Sequence, residues 1–322
     1  MRVGKLTSEQ LNRLVLDKLK IKNDKVIMSA GLSEDCAAIR HDGILLITTD
    51  PITASGDNAG ALAIEVSAND VAACGGKPFC CTLTLIAPPS ITEDELERIV
   101  DGASAKADML NVDIVGGHTE VSDSVVRTVA SVTMLGKADR VIGTAGCRPG
   151  DGIIITKQAG IEGTYIIAND YPDKLGLTEE ERAEAASYGD MLSVLPESEV
   201  AVAHEISGMH DVTEGGVFGA VAEMCQAAGT GAVIYTDKIP FSPLTVKVCQ
   251  TLGLDRYRLI SSGSLIITSP RPEDIVDDMK NHGIKAAVIG KITEKDTVAV
   301  YPDGTRATFD VTADELLKAG KL

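Results

Sequence analysis

The stretch Ile47-Thr48-Thr49-Asp50-Pro51 ends a short apolar run with two hydroxyl side chains and a carboxylate. The segment from Gly43 to Thr49 is too apolar to be exposed, so it predicts a buried β-strand. Asp50 then stands at the end of this strand, and we interpret it as a metal ligand. The other candidate residues are placed by reference to this strand.

Two further aspartates flank the strand in sequence. Asp35 lies upstream in Ser33-Glu34-Asp35-Cys36-Ala37-Ala38-Ile39, and Asp70 lies downstream in a predicted helix from about Ala59 to Cys74. Burying Asp70 without a partner is costly, and the residue spacing alone is equally consistent with an exposed position. Because Mg²⁺ prefers carboxylate and phosphate oxygens, we hypothesise that Asp35, Asp50 and Asp70 hold magnesium on a nucleoside triphosphate.

Three other features are candidates for ligand contact. Lys5 lies on an arm before the first predicted helix, where it either reaches a phosphate or is a solvated terminal lysine. The predicted strand from Val112 to Val115 ends in Gly116-Gly117-His118-Thr119-Glu120, where two glycines let backbone amides approach a ligand. Asp211 precedes Gly215-Gly216 at a predicted helix start, so it either holds a metal or caps the helix.

Charge and composition limit the classes of partner. The chain has a formal charge of -17, which argues against binding a nucleic-acid backbone or an anionic membrane. The same charge makes bare phosphates unwelcome unless a metal cation screens them. No apolar run reaches the length of a membrane span, and the start of the chain has no apolar signal region. The seven cysteines form no recognisable framework, so we expect free thiols and a cytoplasmic protein.

The order of predicted elements indicates two domains, at residues 1–148 and 149–322. Helices and strands alternate irregularly in the first half, which favours an α+β domain with helices over one face of a sheet. The turn-rich segment Cys147-Arg148-Pro149-Gly150-Asp151-Gly152 is interpreted as the connection between the halves. The chain lacks a P-loop, a protein-kinase signature and a G-x-G-x-x-G motif. The residues alone therefore indicate a two-domain, cytosolic α+β protein that binds a metal.

Several segments in order resemble one known family. The segments are Glu34-Asp35-Cys36-Ala37-Ala38-Ile39, Thr48-Thr49-Asp50, Ala68-Asn69-Asp70-Val71, Gly75-Gly76-Lys77-Pro78, Val115-Gly116-Gly117-His118-Thr119-Glu120 and Asp211-Val212-Thr213-Glu214-Gly215-Gly216-Val217. Their order and spacing resemble the AIR synthase (PurM-like) superfamily over almost the whole chain. The overall likeness is to its HypE-like branch.

This resemblance implies an ATP-binding homodimer with an α+β, two-domain PurM-like architecture. The N-terminal mixed sheet would contribute strands to a barrel across the dimer axis, and the C-terminal domain would be an α/β sandwich. The implied metal ligands are Asp35, Asp50, Asp70 and Asp211. The first three, together with Lys5, are the implied catalytic residues. The nucleotide would contact Thr49, Asn69, Gly116, Gly117, His118, Thr119 and Asp211.

The implied activity is transfer of the ATP γ-phosphoryl group to a small-molecule or protein-bound second substrate, linked to hydrogenase or other metalloenzyme maturation. Positioning and charge neutralisation by magnesium would supply most of the catalysis. Three departures qualify the resemblance. The last cysteine is Cys249, whereas HypE carries a C-terminal cysteine. No cysteine precedes Lys5, whereas selenophosphate synthetase has a reactive cysteine or selenocysteine before the corresponding lysine. His118 stands where several members have an acidic residue. Two alternatives are a non-catalytic ATP-binding maturation scaffold and a kinase of the thiamine-monophosphate kinase type.

Overall fold

The computed structural model describes residues 8–9, 26–28, 31–32, 34, 36–40, 42–53 and 56–319. The chain divides into two compact units. The main segment of the N-terminal unit is Asp35–Val141, and that of the C-terminal unit is Ile142–Leu322. The predicted domain boundary between residues 148 and 149 stays a prediction.

A six-stranded mixed sheet forms the framework of the N-terminal unit. Its strands are β1 (Val26–Met28), β2 (Ala37–Arg40), β3 (Ile44–Ile52), β4 (Lys77–Ala87), β5 (Asp113–Val121) and β6 (Val129–Ala138). They lie in the order β1-β2-β3-β6-β4-β5. All neighbours are antiparallel except β4 and β5, which are parallel.

Two helices cover one face of this sheet. Helix α1 (Ala59–Ala73) lies against β3 and β6, and helix α2 (Glu93–Leu110) packs on α1. Small residues let the two helices approach closely, since a Cβ atom on Gly60 would lie 2.1 Å from the Ile99 carbonyl oxygen. The opposite face of the sheet carries half-buried side chains, because β4 and β6 alternate between buried and half-buried positions.

A seven-stranded mixed sheet forms the framework of the C-terminal unit. Its strands are β7 (Gly152–Thr156), β8 (Gly208–Asp211), β9 (Gly231–Tyr235), β10 (Leu265–Ser269), β11 (Ala286–Thr293), β12 (Thr297–Val300) and β13 (Arg306–Thr308). They lie in the order β13-β12-β9-β11-β7-β10-β8. Only β12 and β9 are parallel neighbours.

Helices lie on both faces of this second sheet. They are α3 (Ile161–Asp170), α4 (Pro172–Leu175), α5 (Glu179–Ser187), α6 (Leu195–Ala201), α7 (Gly216–Ala228), α8 (Pro243–Leu252), α9 (Pro272–Asn281) and α10 (Leu316–Ala319). Ile153 and Ile155 of β7 share a core with Phe218 of α7, whereas Ile154 points to the opposite face and is equally buried. Helix α9 packs against β7 and β11.

The fold-class prediction is confirmed, because both units combine helices with a mixed sheet. Neither sheet closes into a barrel within the described part of the chain. The barrel across a homodimer therefore stays a prediction. In the same described part, no helix has the length and apolar character that a membrane span requires.

Candidate functional site

The end of β3 presents different side chains to the two faces of the N-terminal sheet. Leu46 and Thr48 are buried on the helix-covered face, and Asp50, two residues further, lies on the same face and is half-buried. Thr49 is exposed on the other face, where its Oγ1 lies 3.1 Å from Thr133 Oγ1 of β6. The structure therefore separates the predicted nucleotide contact Thr49 from the predicted metal ligand Asp50 by the thickness of the sheet.

Asp70 projects from α1 toward this covered face. Its side chain is only 7% exposed, and Thr48 Oγ1 donates a hydrogen bond to Asp70 Oδ2 at 2.5 Å. The open question about Asp70 is thereby settled in favour of burial. The preceding residue, Asn69, is wholly buried.

Thr48 orients the Asp70 carboxylate, and the sequence analysis did not single it out. The alternation of side chains along β3 was the available signal, because it places Thr48 on the same face as Asp50. A second buried carboxylate of α1, Glu65, is neutralised by Lys106 of α2 at 2.5 Å. Glu65 is therefore paired with a cation, whereas Asp70 accepts its hydrogen bond from a neutral hydroxyl.

The carboxylates of Asp50 and Asp70 suit a magnesium ion that is also bound to phosphates. Asp50 and Asp70 supply hard carboxylate oxygens on one face, and Mg²⁺ is usually held by one or two carboxylates together with phosphate oxygens and waters. Within the described ranges, no group of three His, Cys, Asp or Glu side chains is arranged to hold a metal. Asp35 and Lys5, both predicted site residues, lie outside the described residues. The assignment of ligands stays a prediction.

The glycine-containing segment at Gly116 differs from expectation. The strand was predicted to run from Val112 to Val115 and to end in residues 116–120, but these residues lie inside β5, which pairs with β4 in parallel. Gly117 makes this possible, because its φ is +153° and a Cβ atom there would lie 1.8 Å from the Leu83 carbonyl oxygen. Every residue of β5 is exposed, and His118 Nε2 lies 3.3 Å from Glu120 Oε2.

Asp211 lies in the C-terminal unit, at the end of β8. It is 2% exposed, and its Oδ1 is 3.8 Å from His210 Nδ1. His210 Nε2 in turn lies 3.1 Å from Glu223 Oε2 of α7. Participation of Asp211 in a shared site with Asp50 and Asp70 stays a prediction.

The same edge of the second sheet carries two buried carboxyl groups that the sequence analysis did not select. Glu162 opens α3 and accepts a hydrogen bond from the Ser262 backbone N–H at 3.2 Å. Burial, together with the nearby Glu214 and Asp314 carboxylates, raises the pKa of Glu162 to about 7 against the lowering effect of its hydrogen bonds from Ser262. Burial likewise raises the pKa of Asp314 to about 6, although it accepts a hydrogen bond from Gly215 N–H at 2.7 Å.

These shifts predict a pH-dependent stability. Because the pKa of Glu162 is raised in the folded state, its favourable contribution is complete at low pH and is lost as the pH rises toward about 7. We expect Glu162→Gln to remove about 3 kcal/mol of this pH dependence between pH 4.5 and pH 8. Urea denaturation at several pH values measures the effect.

The matched control is Glu205→Gln, which changes an exposed carboxylate in the same unit. It should leave the slope of unfolding free energy against pH close to that of the unmodified chain. If the free energy of unfolding depends on pH in the same way in the unmodified chain and in Glu162→Gln, the prediction is contradicted.

The fold defines a two-domain α+β protein, with the buried Asp70 and the half-buried Asp50 at the helix-covered face of its N-terminal sheet. Two family models match its halves: "AIR synthase related protein, N-terminal domain" at residues 33–138, and "AIR synthase related protein, C-terminal domain" at residues 148–303. The chain belongs to this AIR synthase related, PurM-like family, as the motif resemblance predicted.

Within the family the chain is HypE-like. It is 27% identical over 308 residues to a hydrogenase expression/formation protein of Methanocaldococcus jannaschii, covering 91% of this chain and 89% of that protein. It is 30% identical over 248 residues to the carbamoyl dehydratase HypE of Rhodobacter capsulatus, covering 74% and 71% respectively.

Two solved structures show the same fold. A HypE structure in complex with ATP aligns with a TM-score of 0.75 at 22% identity, covering 98% of this chain and 97% of that one. The Aquifex aeolicus thiamine monophosphate kinase, complexed with AMPPCP and TMP, also aligns with a TM-score of 0.75, at 20% identity, covering 95% and 97%.

Proposed function

We propose that this protein is an ATP- and Mg²⁺-dependent enzyme of the HypE-like branch. It transfers the γ-phosphoryl group of ATP to an oxygen atom of a second substrate. The observation that carries the proposal is the buried Thr48–Asp70 hydrogen bond on the face of β3 that also bears Asp50. Two hard oxygen donors on one face suit magnesium that is also bound to phosphates.

The remaining predicted residues complete this proposed site. Asp35 joins Asp50 and Asp70 as a ligand of the magnesium and phosphates, Asp211 contributes from the C-terminal unit, and Lys5 contacts a phosphate as a point charge. Backbone and side chains of residues 116–119 line the nucleotide. Magnesium is essential in this scheme because the protein carries a net charge of -17 and would otherwise repel ATP.

We also propose that the protein acts as a homodimer. Strand β5 is the edge of the N-terminal sheet, all nine of its residues are exposed, and Val115 and Val121 are among the exposed large apolar side chains of the described chain. A long exposed edge strand is a template for pairing with another chain. Pairing with a second copy would cover it and would build the predicted barrel.

The second substrate is proposed from the names of the relatives. A carbamoyl dehydratase and a hydrogenase formation protein point to a carboxamide on a protein or small molecule, used in metalloenzyme maturation. Phosphorylation would turn the carboxamide oxygen into a leaving group. The second candidate is a small-molecule kinase. The likeness to the thiamine monophosphate kinase structure, which is complexed with AMPPCP and TMP, supports it.

A screen of ADP release against defined acceptors tests these functions. The acceptors are a carbamoylated cysteine peptide, primary carboxamides, and phosphomonoesters including thiamine monophosphate. Release that depends on a carboxamide supports the dehydratase type, and release that depends on a phosphomonoester supports the kinase. ATP binding without turnover would favour a maturation scaffold, and absence of Mg²⁺-dependent ATP binding would overturn the proposal.

A further inference from the structure

The C-terminal unit concentrates the few aromatic residues of the chain in one place. We call the following five side chains the aromatic cluster: Phe218, Phe241, Tyr257, Tyr301 and Phe309. The chain has only four phenylalanines, six tyrosines and no tryptophan. Three of the four phenylalanines belong to the aromatic cluster. Phe218 stacks on Tyr257 and Phe309 at centroid distances of 5.0 and 4.4 Å, and Phe241 meets Tyr257 edge-on at 5.5 Å.

Arg256 lies against the half-buried side of this cluster. Its guanidinium carbon is 5.1 Å from the ring centroids of both Phe241 and Tyr257, and its Nη2 donates to the Tyr257 hydroxyl at 3.0 Å. Among the described residues, no carboxylate forms an ion pair with Arg256. Since a guanidinium has five N–H donors, this one hydroxyl contact leaves most of its hydrogen-bonding capacity for another acceptor.

The neighbouring carboxylates are engaged elsewhere. Asp255 accepts a hydrogen bond from the Tyr257 backbone N–H at 3.0 Å, and its other oxygen lies 3.6 Å from Arg258 Nε. Glu315 accepts from the Asp255 backbone N–H at 3.2 Å and pairs with Lys318 at 2.5 Å. Arg256 therefore keeps its positive charge beside the aromatic cluster without a carboxylate partner among the described residues.

The backbone places the cluster beside two glycine turns. Phe241 forms an isolated β-bridge with Ala159, next to Gly160, where α3 begins. A Cβ atom on Gly216, at the start of α7, would lie 2.8 Å from the Tyr257 carbonyl oxygen. Phe241 and the Tyr257 backbone are thus placed beside the starts of α3 and α7.

We propose that Arg256, Phe241 and Tyr257 form a recognition site for an anion carried on an aromatic ring, a phosphate or a carboxylate. The guanidinium plane suits bidentate hydrogen bonding to either group, and Phe241 and Tyr257 are only half-buried, which leaves part of each ring for contact with the aromatic part. That this ligand is the second substrate rests on the proposed function. The binding itself does not depend on it.

Isothermal titration calorimetry of the full chain, without nucleotide, tests the site with phenyl phosphate. We expect saturable binding that Arg256→Gln weakens about tenfold to hundredfold, as loss of charge-assisted hydrogen bonds implies. Phe241→Leu should weaken it several-fold, and inorganic phosphate should bind more weakly than phenyl phosphate. Benzoate in place of phenyl phosphate distinguishes a carboxylate site from a phosphate site.

Arg271→Gln is the matched control, because Arg271 is exposed in the same unit and lies near Glu205 and Asp274. Equal affinity for phenyl phosphate in the unmodified chain and Arg256→Gln, or no binding in either, would overturn the proposal. So would equal affinities for phenyl phosphate and inorganic phosphate. If Arg256→Gln fails to fold, Arg256→Lys keeps the charge without the planar fork and should also lose affinity.

The same titrations separate this site from the proposed nucleotide site. A variant of Asp50 should lose ATP binding and keep phenyl phosphate binding. Failure of ATP binding in the unmodified chain would overturn the proposed function and leave the aromatic-anion site standing. If the unmodified chain binds ATP but does not bind phenyl phosphate, only the site at Arg256 is overturned.

Discussion

Replacing Asp50 with asparagine is expected to weaken Mg²⁺-dependent ATP binding about hundredfold or more, or about 3 kcal/mol. The substitution keeps the size of the side chain and removes one anionic oxygen ligand from the face of β3 that Asp70 also reaches. Because the proposed magnesium would join the carboxylates to the phosphates, the loss should appear only when magnesium is present. Calorimetric titration of a non-hydrolysable ATP analogue, with and without Mg²⁺, measures it.

The control for this prediction is Asp101→Asn, which removes a carboxylate from the exposed side of α2 in the same unit. It should leave ATP binding within a factor of about two, because an exposed charge is screened by solvent and salt. Thr48→Val adds a finer arm, since it removes the hydroxyl that donates to Asp70 and leaves both carboxylates in place. Unchanged Mg²⁺-dependent binding in Asp50→Asn would disprove the proposed metal site.

The second large effect concerns stability and comes from Lys157. Its Nζ lies 2.7 Å from Glu197 Oε1, and it donates to the carbonyl oxygens of Ser193 at 2.5 Å and Gly263 at 2.9 Å. Glu197 is only 1% exposed, so removing its partner leaves an uncompensated buried charge. We expect Lys157→Met to lower the free energy of unfolding by about 3–5 kcal/mol at pH 7. Urea denaturation measures this difference.

Two further variants show whether the effect is electrostatic. Lys247→Met breaks a more exposed pair with Glu181 and should cost less than about 1 kcal/mol. Lys157→Met combined with Glu197→Gln should recover much of the lost stability, because the buried charge is then absent. The φ of Lys157 is +51°, and methionine at this position keeps the same backbone strain, so a change in strain does not contribute to the difference. A loss in Lys157→Met no larger than in Lys247→Met would contradict the prediction.

Much of the N-terminal unit was predictable from local pattern. The apolar run before Asp50 predicted β3, and the helix expected from about Ala59 to Cys74 is α1. The burial of Asp70 was not predictable, because α1 consists mostly of small and apolar residues, so the sequence does not distinguish a buried face from an exposed one. The extension of β5 through Gly116 and Gly117 was also missed, since glycine pairs usually indicate turns.

The amino-acid sequence by itself indicated the α+β class and the family, because these depend on neighbouring residues and on motif order, but it did not indicate strands β2 and β8. Only the tertiary structure decided which side chains meet: Thr48 with Asp70, Lys157 with Glu197, and Arg256 with Phe241 and Tyr257. The first two of these pairs are tens of residues apart, so chain folding and not local propensity sets their distances. For Asp50 the sequence placed a carboxylate at the end of a strand, and the sheet and α1 decided that it shares a face with Asp70.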